Sequence, residues 1–373
     1  MTTRSRATIR LILGGDVMAG RGIDQVLPHP SDPVLYESFV KSAADYVNLA
    51  ESVNGAIAAP VPFDYIWGDA LGRLARAPSD VRIVNLETAV TRADHPWPKG
   101  INYRMNPANV GCLTAARITC CVLANNHVLD WGRDGLLETL DVLRGAGLQT
   151  VGAGHNATEA AAPAVMPIAG KGRVLLYAFA CPSSGVPDDW AAGDRRPGVN
   201  FLSDTAVETA QAIATQARAD KQPDDIVVCS FHWGPNWGYD VDPRDRAFAL
   251  ALIESGEVAV VYGHSSHHPK AIEVHCGKPI FYGCGDLLND YEGIGAHARY
   301  RDDLVFMYAV EIVVTGAKLA SLGMVPFRIR NFRLTRADRS EVEWLEQTMR
   351  RECRRFGGDV AGREDGVLTL LWR

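Results

Sequence analysis

The sequence contains no Cys-x-x-Cys pair, no internal repeat, no long block of like charges and no uninterrupted apolar stretch of the roughly 18 residues a membrane helix needs. Each absence excludes a class of protein. Eight cysteines (Cys112, Cys120, Cys121, Cys181, Cys229, Cys276, Cys284 and Cys353) lack the spacing of zinc sites or secreted disulfide scaffolds and read as reduced thiols. With 38 Lys+Arg against 44 Asp+Glu and a formal net charge of −6, the chain has no clustered basic surface for nucleic acid or anionic lipid. Met1 to Arg10 carries Arg4, Arg6 and Arg10 but no apolar core of about seven residues before Gly14-Gly15, so no signal peptide is expected. The expectation is a cytoplasmic protein with no nucleic-acid or membrane partner. Gly15, Gly20 and Gly22 make no phosphate loop, because no Lys-Ser/Thr pair follows them.

What is present is an ordinary globular composition, 47% hydrophobic and 22% charged in 373 residues. Short apolar runs alternate with amphipathic stretches, the pattern of an α/β protein with a buried sheet. Strands are expected at Thr8–Gly14, Val81–Val84, Ile118–Leu123, Val174–Phe179, Ile226–Phe231 and Val258–Tyr262. Helices are expected at Asp64–Ala77, Asp134–Gly145, Asp204–Arg218, Arg244–Ser255 and Ser340–Phe356. Ala271–Val274 with Pro279–Tyr282, and Leu304–Val314 with Lys318–Val325, read as antiparallel pairs.

The apolar runs stop at residues able to bind a metal or move a proton. Asp16, Glu87, Asn126, His127, His232, His264 and His267 all fall at or just past a strand end, where ligands collect in α/β sheets. Taken singly, each has an unremarkable structural role; together, two carboxylates, one amide oxygen and several imidazoles form a ligand set for divalent metals.

The order Gly15-Asp16, Asn85-Leu86-Glu87, Asn125-Asn126-His127-Val128-Leu129-Asp130-Trp131-Gly132, His232-Trp233-Gly234 and Gly263-His264-Ser265-Ser266-His267-His268-Pro269 resembles the CapA family. That family, named for poly-γ-glutamate capsule synthesis, belongs to the calcineurin-like metallophosphoesterases. The resemblance runs from about Ile9 to about Asn289. It implies a four-layer α/β sandwich, two packed mixed sheets flanked by helices, as a single domain over 1–373. An insertion at about 24–63 and a C-terminal extension at about 330–373 would decorate it.

The resemblance further implies one or two divalent ions of the manganese, zinc, iron or cobalt type. Asp16, Glu87 and His267 would hold one, with Glu87 bridging to a second held by Asn126, His232 and His264. His127 matches the family's non-ligand histidine and would be the acid/base group. His268 and His275 would lie outside the ligand set. Two departures stand out: Val17-Met18 follows Asp16 where the superfamily usually has a histidine two residues on, and Gly283-Cys284-Gly285-Asp286 replaces a Gly-Asn, placing Asp286 as an extra carboxylate near the site.

Fold and metals leave the reaction open. The specific expectation is epimerisation of a peptide, because the chain resembles the soluble lasso-peptide epimerases, which invert the C-terminal tryptophan of a precursor. His127 would then be one proton carrier, and His297 or Asp286 the other. The alternatives are phosphoester hydrolysis, with Arg21, Arg104, Arg299 and Arg301 available to hold phosphate charge, and a role in poly-γ-glutamate synthesis. Trp131, Trp233 and Trp237 flank the motifs and could form an aromatic wall for a peptide substrate.

Overall fold

The computed structural model describes residues 7–373. Met1–Arg6, part of the segment read for a signal peptide, lies outside the described residues. Among the described residues, no helix is long and apolar enough to cross a membrane.

Two mixed sheets carry the fold. The larger has ten strands, and its main path runs Asp359–Gly362, Leu368–Leu371, Lys318–Arg330, Leu304–Val313, Thr8–Val17, Val81–Leu86, Cys120–Val122, Gln149–Val151. Asp286–Leu288 pairs parallel to Thr8–Val17 off that path. The six-stranded sheet runs Ile272–His275, Lys278–Phe281, Val260–His264, Ile226–His232, Gly172–Ala180, Ala164–Ile168.

Alternation along the second sheet shows how the layers form. Leu176 and Val228 join the large core shared with Leu11, Leu13 and Ile83 of the first sheet. Their neighbours Leu175 and Val227 point the other way, onto Ala210 and Ile213 of helix Val207–Asp220 and Phe248 and Leu252 of helix Pro243–Glu254. A strand buried on both faces reads as the continuous apolar run seen in the sequence. Each fully buried Leu, Val or Phe contributes about 1.5–3 kcal/mol of transfer free energy. Helix Gly132–Gly145 adds Leu136, Leu140 and Leu143 to the large core. The expected two packed mixed sheets flanked by helices are therefore observed.

Three elements differ from the expectation. Asp64–Ala77 splits into a 3₁₀ turn, Tyr65–Trp67, and a helix, Asp69–Arg76, because Gly68 between them sits at φ 41°. The weakly patterned stretch 24–63 contains a helix, Ala43–Asn54, started by Ser42, whose hydroxyl accepts from Ala44 N at 3.3 Å. The C-terminal segment supplies strands Asp359–Gly362 and Leu368–Leu371, the latter pairing with Lys318–Arg330, so it extends the first sheet.

Candidate metal centre

Strand register brings the polar strand ends together. His232 and His264 face each other across parallel strands, as do Asp16 and Asp286, and Asp16 and Asn85. Gly15 lets the first strand come this close to Asp286, since a Cβ there would lie 1.6 Å from Gly285 O. Ser265, held at φ 101°, turns its backbone N–H onto Asp16 Oδ2 at 3.1 Å. Strained backbone of this kind collects at functional sites.

Two groups of donors result, Asp16 with His232 and His264, and Asp16 with His267 and Asp286. Within each, one donor atom per residue lies within 4.8 Å of the others. Glu87 Oε1 is 3.8 Å from His232 Nε2, which lies 3.0 Å from Asn126 Oδ1. Asp16, His232, His264 and His267 thus cluster with Asp286, while buried Glu87 and half-buried Asn126 join them through His232. Asp286 Oδ1 is 2.9 Å from His267 Nδ1 and its Oδ2 accepts from Asn289 at 2.7 Å. That geometry groups Asp286 with the ligand candidates, not with a free proton carrier.

The electrostatics fit a bound cation. Burial and the neighbouring Asp286 push the Asp16 carboxyl up to about 7. Burial and Asp16 push Glu87 well above the carboxylate range. Burial drives His264 down to about 3 and, together with His264, pulls His232 well below the usual imidazole value. Crowded carboxylates that resist ionising, beside His232 and His264 held neutral, are the donor set a divalent cation stabilises; His267 shifts the other way, raised against its burial by Asp286 and Asp16. The residues present fit one or two such ions.

His127 differs from the other histidines. Its Nδ1 lies 2.6 Å from Asp130 Oδ2, and Lys99 Nζ reaches Asp130 Oδ1 at 2.6 Å. Its Nε2 faces the cluster, 3.7 Å from Glu87 Oε1. Burial depresses the ring to about 4 despite Asp130. A carboxylate on Nδ1 fixes the tautomer that leaves Nε2 as an acceptor.

The remaining candidate residues take other partners. Arg21 is buried in ion pairs with Glu37 at 2.9 Å and Asp290 at 2.5 Å. Arg104 stacks on Trp131, Arg299 lies over Tyr300, and Arg301 binds Asp303. None of these four is a free cation beside the cluster. Trp131 and Trp233 are buried and donate to the Tyr103 and Tyr282 carbonyls, so they pack the strand ends. Trp237, half-buried, is the one of the three against the cluster, with its ring 5.4 Å from His267. Half-buried His297 stacks on that ring, 4.0 Å from Trp237, and so reaches His267 only through it. His268 is buried and accepts from Gly238 N, whereas His275 pairs with Glu254. Sequence reasoning missed the roles of Lys99, Asp130, Asn85 and Tyr291, whose hydroxyl is 3.4 Å from His267 Nε2. Asp130 and Asn85 carried a signal, as parts of the Asn125–Gly132 and Asn85–Glu87 motifs; Lys99 and Tyr291 carried none.

The model of the bacterial capsule synthesis protein family PGA_cap matches residues 10–291, which contain every ligand candidate. The chain belongs to the PGA_cap family. A probable polyglutamine synthesis accessory protein of Mycobacterium tuberculosis is 47% identical over 97% of this chain and 96% of its own. The PGA biosynthesis protein CapA of Bacillus subtilis is 27% identical over 91% of this chain and 83% of its own. The solved structure of a novel phosphatase from Mycoplasma pneumoniae covers 91% of this chain and 98% of that one at 13% identity, with a TM-score of 0.47. For this PGA_cap member the motif order and the clustered carboxylates and imidazoles lie within one matched region.

Proposed function

We propose that this PGA_cap protein is a divalent-metal-dependent enzyme that acts at a carbonyl carbon or its neighbouring Cα in a peptide substrate. The observation that carries the reading is the His127–Asp130–Lys99 relay set against a buried ligand cluster. Asp16, Glu87, Asn126, His232, His264, His267 and Asp286 would hold the ion or ions. Bound there, a divalent cation would polarise an oxygen of the substrate. His127 Nε2, left free by Asp130, would take a proton, and Lys99 would keep Asp130 ionised against Nδ1.

The specific reaction put forward is inversion at the Cα of a C-terminal residue, with His297 as the second proton carrier. Half-buried Trp237, stacked on His297 beside His267, supports a substrate with a flat side chain such as tryptophan. Engagement of Arg21, Arg104, Arg299 and Arg301 elsewhere supports peptide over phosphoester. Phosphoester hydrolysis is the second reading, favoured by Lys99, a cation 3.2 Å from His127 Nδ1. The names of the relatives connect the family to polyglutamate or polyglutamine synthesis, which also concerns amide-linked substrates.

The test is turnover of precursor-type peptides with C-terminal tryptophan in deuterated water with added Mn²⁺ or Zn²⁺. One deuterium at one Cα with unchanged chain length is the expected result. Hydrolysis of a generic phosphodiester without exchange in any peptide would overturn it.

A further inference from the structure

The carboxyl ends of the second sheet have two sides, and only one faces the ligand cluster. Alternation turns His232 inward and the next residue, Trp233, outward onto Phe231 and Phe248. On that outer side a cavity of about 670 Å³ opens between the first turns of helices Val207–Asp220 and Pro243–Glu254. Crevices at strand carboxyl ends, bounded by helix starts, are where α/β sheets take ligands.

Lys270 is the feature of this cavity that its own structure does not complete. The residue is 6% exposed, and its ammonium makes one hydrogen bond, to the Asp240 carbonyl at 2.5 Å. Among the described residues no carboxylate lies within ion-pair distance of it, although Asp245, Asp240 and Glu352 are near enough to act on its charge. Gly283 makes room for the lysine stem, since a Cβ there would lie 3.0 Å from both Cγ and Cδ of Lys270. A buried ammonium with protons to spare is costly unless an anion meets it. Helix Val207–Asp220 adds backbone N–H groups of the same sign at its first turn, beside Asp204, whose Oδ1 accepts from Ala206 N at 3.0 Å.

Most of the other charged residues in the lining are acidic. Asp204, Glu208, Asp240, Asp242 and Asp245 outnumber Lys270 and Arg244. Asp204, Asp242 and Asp240 are engaged, by Thr209, by Arg244 N and by Arg355. Half-buried Asp245, which accepts from Thr205 at 2.8 Å, and exposed Glu208 keep oxygens for a cation. This acidic surplus disfavours phosphate or a dicarboxylate. One anchor for a carboxylate inside an acidic rim is the complement of a zwitterion.

We propose that this crevice binds a free α-amino acid with a neutral or basic side chain. Its carboxylate would sit at Lys270 and the start of helix Val207–Asp220, and its ammonium against Asp245 and Glu208. Trp233, Tyr282 and Leu202 give the side chain an apolar wall.

The test is calorimetric titration of the full chain with L-leucine, L-lysine, L-glutamate, N-acetyl-L-leucine and inorganic phosphate. L-Leucine and L-lysine should bind, with L-glutamate at least tenfold weaker and the last two not at all. Lys270→Met should weaken L-leucine at least tenfold. If that variant does not fold, Ser203→Trp, an exposed position on the cavity wall, should block binding instead. No heat from either L-leucine or L-lysine overturns the proposal, as does phosphate binding without them. Unchanged L-leucine affinity in folded Lys270→Met, or in Ser203→Trp, overturns it too.

Discussion

The Nδ1 atoms of His232 and His264 lie 2.8 Å apart, with both rings fully buried. His264 also meets Ser230 Oγ through Nε2 at 2.7 Å, and its Nδ1 lies 3.8 Å from Asp16 Oδ1. Two neutral rings sharing one contact leave little capacity for protons and much for a cation. His232→Ala, Glu87→Ala and Asp286→Asn should each lower bound metal while keeping the fold. Elemental analysis with far-UV circular dichroism checks this, and variants as fully loaded as wild type would show the ligand assignment to be wrong.

His127 is expected to act on protons and not on the metal. His127→Ala should keep wild-type metal content and melting behaviour and lose about 10²- to 10⁴-fold in turnover. Asp130→Asn should lose less, because it misorients the ring without removing it. Loss of metal in His127→Ala would move that residue into the ligand set.

Asp16 and His127 respond to pH in opposite senses. Burial and Asp286 raise Asp16 from 3.8 to about 7, so in the metal-free protein its favourable contribution is full below about pH 4 and is lost as pH rises through about 7. A cation must displace that proton, so affinity should climb as pH rises towards 7. Burial lowers His127 from 6.5 to about 4, so its contribution is full above 6.5 and lost as pH falls through about 4. It remains a proton acceptor across the range in which Asp16 titrates. The acidic limb of the activity profile should therefore move to lower pH as metal concentration is raised. A midpoint that ignores metal concentration would mean that a base sets the limb.

Arg21 separates a structural cation from a substrate clamp. Its guanidinium lies between Glu37 and Asp290 and over the Tyr46 and Tyr103 rings. Arg21→Met should cost about 3–5 kcal/mol of stability in a urea melt, because it strands two buried carboxylates. Unchanged stability with a raised KM would instead make it a clamp.

Much of the centre was legible because buried strands write themselves as apolar runs, and what ends such a run is conspicuous. Asp16, Glu87, His232 and His264 were found that way. Lys99 was not, because it lies in a loop whose path no periodicity encodes. Tyr291 was missed for a similar reason: it comes two residues past Asn289, where the motif pattern ends. Helix Ala43–Asn54 was hidden because it buries only Ala43, Tyr46 and Ala50, too few for a stripe. The strands Asp359–Gly362 and Leu368–Leu371 are four residues each, shorter than an alternation needs to stand out. The arginines show the limit most plainly, since nothing in the sequence tells a free guanidinium from Arg21 in its buried pairs.

The backbone at the site is equally exacting. Gly15→Ala should destabilise by about 3 kcal/mol or more, because the added Cβ meets Gly285 O at 1.6 Å and no side chain can swing aside. A denaturant melt that matches wild type would show that the two strands are further apart than described.

Asp16, its surrounding imidazoles and Asp286 together are assigned as a divalent-metal centre. The most direct test is metal content per chain after loading the purified protein with Mn²⁺ or Zn²⁺ and removing free ion. Stoichiometric metal that falls away in Asp16→Ala is the expected result. A wild-type chain that retains none, or an Asp16→Ala chain that retains as much, would contradict it.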